Sequence, residues 1–209
     1  GLTGLLRDAL PLMLKGALWT LVLAVASVFF GALIGMLVAI TRLAKVPVLS
    51  QLAALYVSCM RGTPLLVQLF VIYFGLPSIG IQFDPISAGI LGLSLNVGAY
   101  LSETIRGSIN GITHGQTNAA LSLGLTQAQT LRYVIGPQAL RLAVPSLSNS
   151  LISLIKDTSL ASNITVAELF MAGQRVAART YIFLPIYCEV AVVYLLFCTV
   201  ITKLQAVLE

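Results

Sequence analysis

The sequence predicts an all-α integral membrane protein of about five transmembrane helices. Three observations predict it. The chain is 58% hydrophobic and 9% charged with a mean hydropathy of +0.97, whereas a soluble domain carries about 25% charged residues. A hydrocarbon core of roughly 30 Å takes about 20 apolar residues per helix, so 209 residues allow about five spans with short connections. The apolar blocks are interrupted once by a long polar stretch, Thr113 to Pro137, which belongs outside the bilayer.

Taken in order, residues 3–15 hold Arg7, Asp8 and Lys15 among leucines and read as an interfacial amphipathic helix. The first span follows from Ala17 to Ile40. It is too long for a signal-peptide core and is expected to be retained. Gly31 and Gly35 form a G-x-x-x-G pair that permits close helix packing. The second span, Val48 to Leu76, carries Arg61 near its middle, and Pro64 bends it. A turn around Pro77–Pro85 leads to the third span, Ile86 to Arg106. The fourth runs from Pro137 to Leu160, with Pro145 inside. A polar, semi-regular segment, Ser162 to Thr180, precedes the fifth, Tyr181 to Ile201. Neither an internal repeat nor a domain linker is evident, so residues 1–209 read as one transmembrane domain.

The interlude at 113–137 has the pattern of two short helices with a break. Asn118 to Leu123 are good helix formers, Gly124 interrupts, and Thr126 is placed to cap a second helix from Gln127 to Val134. Such a pair, projecting from a membrane body, makes a docking finger. Pro137 then opens the fourth span, where its missing N–H does little harm.

Charge and cysteine usage exclude several classes. The net charge of +5, at this hydropathy, fits cationic loops facing cytoplasm and anionic lipid, not nucleic acid. Cys59, Cys188 and Cys198 lie in or beside apolar segments without metal or disulfide spacing, and His114 is the one histidine. An intramembrane enzyme would need a compact acid/base or metal constellation that this pattern lacks. With no G-x-x-x-x-G-K-[ST] loop, the chain itself is not expected to bind ATP in that manner.

Polar residues in the spans fall on stripes. Gly92, Asn96, Ala99, Glu103 and Arg106 share one face of the third span, as do Ser146, Asn149, Ser153 and Lys156 on the fourth, with Asp157 adjacent. Arg61 and Gln68, seven apart, share a side of the second. Ionisable groups at depth usually face a cavity or a partner. These stripes either line a polar path or act as interhelical glue, with Arg61 paired to Glu103 or Asp157.

Three motifs carry a family resemblance. Asn118-Ala119-Ala120 with Gly124 four residues on, then Val134 and Pro137, resemble the E-A-A-x-x-x-G…I-x-L-P loop of ABC importer permeases. Asn118 stands where that family has Glu, and Gly136 where it usually has Leu. Met60-Arg61-Gly62-Thr63-Pro64 and Lys156-Asp157-Thr158-Ser159-Leu160 resemble the R-G-T-P and K-D-T-S-L segments of permeases for polar amino acids.

The resemblance implies the membrane subunit of an ATP-driven importer in the bacterial inner membrane, with N-terminus outside and C-terminus inside. It implies a second permease subunit (homo- or heterodimer), two cytoplasmic ATP-binding subunits that hold ATP and Mg, and an external solute-binding protein. Asn118, Ala119, Ala120 and Gly124 would then couple to the ATPase. No cofactor is expected in this chain, nor enzyme activity. The alternative is an ion-coupled secondary carrier.

For an amino acid substrate, Arg61 suits the carboxylate, Glu103 and Asp157 suit the ammonium or a cationic side chain, and Asn96 and Thr158 supply neutral hydrogen bonds. Lys156 is expected to be neutralised by a nearby acid, and a break at Asp157–Ser159 would free backbone groups for substrate. This inventory favours basic amino acids.

Overall fold

A computed structural model describes residues 2–208, which are helical nearly throughout. The first helix, α1, runs unbroken from Leu2 to Leu43. The expected interfacial helix and first span are therefore one element. Neither Pro11 nor Gly16 breaks it, and the ladder continues into the apolar run. At 1.5 Å per residue its 42 residues extend about 60 Å, twice a hydrocarbon core.

The expected second span is broken, not merely bent. Helix α2 (Pro47–Gly62) ends where Thr63 and Pro64 take extended backbone. Helix α3 (Leu65–Phe70) leaves at 108° and continues through a π turn at Val71–Gly75 and a 3₁₀ turn at Leu76–Ile79. Proline disfavours α geometry in the residue before it and offers no N–H to the turn behind, so the ladder stops at Gly62.

Asp84 caps α4 (Pro85–Asn110), accepting a bond from the Ser87 N–H at 3.1 Å and another from its hydroxyl. These bonds hold the exposed Asp84 carboxyl below the usual carboxylate range. Helices α5 (His114–Ser122) and α6 (Gln127–Thr130) follow. A π turn at Leu131–Ile135 then joins α6 directly to α7 (Gly136–Asp157). The second finger helix thus runs into the expected fourth span instead of stopping at Pro137. Gly136 permits this, since a Cβ there would lie 2.8 Å from the Leu131 carbonyl oxygen. A 3₁₀ turn (Thr158–Ile164), α8 (Leu169–Thr180) and α9 (Phe183–Leu208) complete the fold.

Among the described residues, α1, α4 and α9 are long and apolar enough to cross a membrane, and the bent α2–α3 pair makes a fourth if it is one span. Helix α7 carries Arg141, Lys156 and Asp157 and is not among them. Helix α4 is central, packed on α1, α2, α3 and α7. Its contact with α1 is the most extensive, and small residues allow it: a Cβ on Gly31 would meet Val97 at 2.4 Å, and one on Gly98 would meet Ile34 at 3.0 Å. One apolar core gathers Leu23, Leu69, Leu93, Leu154 and Ile164. A second gathers Met13, Leu169, Ile186 and Val190.

Candidate functional site

The broken second span creates the site. Ending α2 at Gly62 leaves its last carbonyls without helical donors. The Thr63 hydroxyl takes the Cys59 carbonyl at 2.7 Å. The Gln68 amide donates to the Met60 carbonyl at 2.9 Å and to the Thr63 hydroxyl at 2.9 Å. The Asn96 amide in turn donates to Gln68 Oε1 at 3.0 Å and to the Met60 carbonyl at 3.3 Å. Asn96 and Gln68 therefore fasten α4 to the break.

Beyond that seam lies a cavity of about 530 Å³. Its walls are Thr63, Pro64 and Leu65 from the break, Asn96, Val97 and Tyr100 from α4, and Asn149, Ser150, Ser153, Leu154 and Asp157 from α7. Of the predicted stripes, Asn96 from α4 and Asn149 and Ser153 from α7 meet at this space, together with Asp157, whereas Gly92, Ala99, Glu103, Arg106, Ser146 and Lys156 are not among its walls. Asp157 is the charged group among its walls.

Arg61 is not among these walls but lies against one of them, Tyr100. Its guanidinium lies 5.4 Å from the centre of the Tyr100 ring, within cation–π range. Glu103 lies outside the cavity walls, held by three arginines from three helices. Arg42, in the last turn of α1, donates to Oε1. Arg106 spans both oxygens at 2.9 and 3.3 Å. Arg61 reaches Oε2 at 3.7 Å, an ion pair without a hydrogen bond, and its side chain is 46% exposed. Three guanidiniums share one carboxylate, and Arg61 is the most loosely held.

The K-D-T-S-L segment divides. Asp157 faces the cavity, while Lys156 and Ser159 line a separate groove on the other side of α7, against α8 and α9. Thr158 is fully buried and donates to the Ile155 carbonyl at 2.6 Å. Ser159 donates to the Lys156 carbonyl at 2.7 Å. Their hydroxyls hold the helix end as it tightens into the 3₁₀ turn.

In the finger, Gly124 has φ +84°, a left-handed turn between α5 and α6. Thr126 and Gln129 form a reciprocal capping box at 2.9 and 3.2 Å. Ala120 is buried, whereas Leu123 at the tip is 83% exposed.

Four participants escaped sequence reasoning. Tyr100 and Ser150 line the cavity, and Arg42 completes the Glu103 cluster. Glu168, fully buried, caps α8 through the N–H groups of Phe170 and Met171, both at 2.8 Å, and accepts from the Tyr194 hydroxyl at 2.8 Å and the Thr20 hydroxyl at 3.4 Å. Its place just before an apolar helical run was the available signal. Glutamate is an uncommon cap and went unread.

Residues 31–209 match the family described as the inner membrane component of binding-protein-dependent transport systems. The chain is 44% identical over 200 residues to the L-cystine transport system permease protein TcyB of Bacillus subtilis (strain 168), covering 95% of this chain and 86% of that one. It is 39% identical over 203 residues to the glutamine transport system permease protein GlnP of Escherichia coli (strain K12), covering 96% and 93%. Its fold superposes with a TM-score of 0.93 and 34% identity on the crystal structure of an amino acid ABC transporter with histidines, covering 98% of this chain and 95% of that one. The inward-facing MetNI methionine ABC transporter shares the fold at a TM-score of 0.79 and 22% identity, covering 95% of each.

Proposed function

The chain belongs to the inner membrane component family of binding-protein-dependent transport systems, and from that premise we propose that it passes polar amino acids through the cavity between α4, α7 and the α2–α3 break. The observation that carries this reading is the cavity itself. In a chain 58% hydrophobic, a cavity of about 530 Å³ counts Asn96, Asn149, Ser150, Ser153 and Asp157 among its walls, with Arg61 over the ring of one further wall residue, Tyr100.

A zwitterion fits these groups: its ammonium on Asp157, its carboxylate on the loosely held Arg61, its polar side chain among the amides and hydroxyls. Glu103, engaged by three arginines, is not free to answer a cationic side chain. The reading therefore covers neutral polar and basic substrates and disfavours acidic ones. The substrates in the names of the relatives, cystine and glutamine, agree with that range.

The chain works with a second permease subunit, an external solute-binding protein and two cytoplasmic ATP-binding subunits. The finger at 113–137 couples it to the latter through Asn118, Ala119, Ala120 and Gly124. ATP hydrolysis resides in those partners. Alternating access follows when their closure moves the finger and, through the continuous α6–α7 helix, the Asp157 wall.

Asp157→Asn tests the cavity. In membrane vesicles containing the full transporter, the variant should lose uptake of arginine and glutamine alike, by roughly tenfold or more, the size of a charge-assisted hydrogen bond. Uptake at the wild-type level would overturn the assignment.

A further inference from the structure

The groove that takes Lys156 away from the substrate cavity has the composition of a lipid site. It encloses about 590 Å³ between the end of α7, the start of α8 and one face of α9. Its floor is Ile152, Val190, Ala191, Leu195 and Cys198. Phe170 and Tyr187, stacked with ring centres 5.9 Å apart, close one end. From Tyr187 to Cys198 the α9 face extends about 16 Å along the helix.

Two groups supply the polar mouth. Lys156 is exposed and forms no salt bridge among the described residues. The Tyr187 hydroxyl has no hydrogen-bond partner among them. No acid lies within ion-pair distance of the Lys156 ammonium among the described residues. Asp157 opens on the substrate cavity, and Glu168 is fully buried with its oxygens taken by four donors. Glu189, two residues past Tyr187, falls on the opposite side of α9 by helical register. Around the groove the α9 surface is exposed and apolar, with Val192, Leu195 and Leu196 each more than half exposed, as a bilayer-facing helix requires. A lysine in the last turn of α7 also complements the helix end. That role alone explains neither the long apolar floor nor the free tyrosine beside it.

We propose that this groove binds one anionic phospholipid, its phosphate on the Lys156 ammonium and the Tyr187 hydroxyl and an acyl chain along α9 from Val190 to Cys198. Charge complementarity selects the headgroup, and the apolar floor fits an acyl chain that a free phosphate ion would leave unmatched. The proposal does not depend on which substrate is carried.

The test uses the purified transporter with its partner subunits and a phosphatidylglycerol bearing a photoreactive group in its acyl chain. Illumination should label the peptide spanning residues 187–198. An excess of unlabelled phosphatidylglycerol should suppress that labelling, and phosphatidylcholine or inorganic phosphate should not. Lys156→Gln should reduce it roughly tenfold, and Lys156→Arg should restore it. Ala191→Trp, which fills the groove and keeps the lysine, should reduce it as well. Three results would overturn the proposal: suppression by phosphatidylcholine to the same degree, labelling unchanged in both Lys156→Gln and Ala191→Trp, or a Cys198–Cys198 cross-link with a second copy showing that protein covers the groove.

Discussion

Glu103 illustrates how a residue's chemistry is decided by its neighbours. On the helical stripe it reads as an anion facing substrate. In the fold it collects Arg42, Arg61 and Arg106 from the ends of α1, α2 and α4. Glu103→Gln should therefore loosen three helices and leave three guanidiniums repelling one another. We expect a loss of about 1–3 kcal/mol, the scale for charged hydrogen bonds in partly exposed sites, seen as a lower melting temperature of the purified transporter. Arginine and glutamine uptake should fall together. A selective loss of cationic substrates would return Glu103 to the substrate. The periodicity of α4 made the stripe legible, but Arg42 lies 61 positions away and no spacing rule connects it. Asp157 and Lys156, adjacent in sequence, separate onto two sides of α7 because successive helical residues are turned by about 100°.

At the scale of elements, the breaks carry the information. Gly124 was legible because a helix former run, a glycine and a capping threonine stand in the order that a left-handed turn demands, and the turn forms with φ +84°. A Cβ there meets nothing within 4 Å, so a substitution acts on the backbone angle alone. Gly124→Val should cost about 1–2 kcal/mol locally, leave the membrane body folded and abolish substrate stimulation of ATPase activity in the assembled complex. Undiminished stimulation would sink the coupling role of the finger. Gly98→Val is the contrasting case, because Ile34 and the Gly31 carbonyl lie 3.0 and 3.1 Å from the new Cβ. Overpacking of the α1–α4 contact should cost about 1–3 kcal/mol, measured by thermal unfolding, with ATPase coupling retained in the folded fraction. Pro64 announced a bend but not its size. The 108° turn depends on Gln68 and Asn96 capturing the freed carbonyls, a tertiary arrangement the local sequence does not contain. The join of α6 to α7 through a π turn was equally hidden, since Pro137 reads as a start and not as a passenger.

Across the whole molecule, the arrangement links two ends. The cavity lined by Asp157 sits at one end of α7, and the two short helices of the finger lead into the other through α6. On the proposed reading, closure of the ATP-binding partners against the finger would reach the cavity wall through this helical connection. The measurement that bears most directly on this account is uptake by sealed vesicles holding the chain alone, or the chain with its ATP-binding subunits and solute-binding protein. The account predicts that polar amino acids accumulate against a gradient only in the complete set and only with ATP inside the binding subunits' compartment. Accumulation by the chain alone, driven by a proton or sodium gradient, would contradict it.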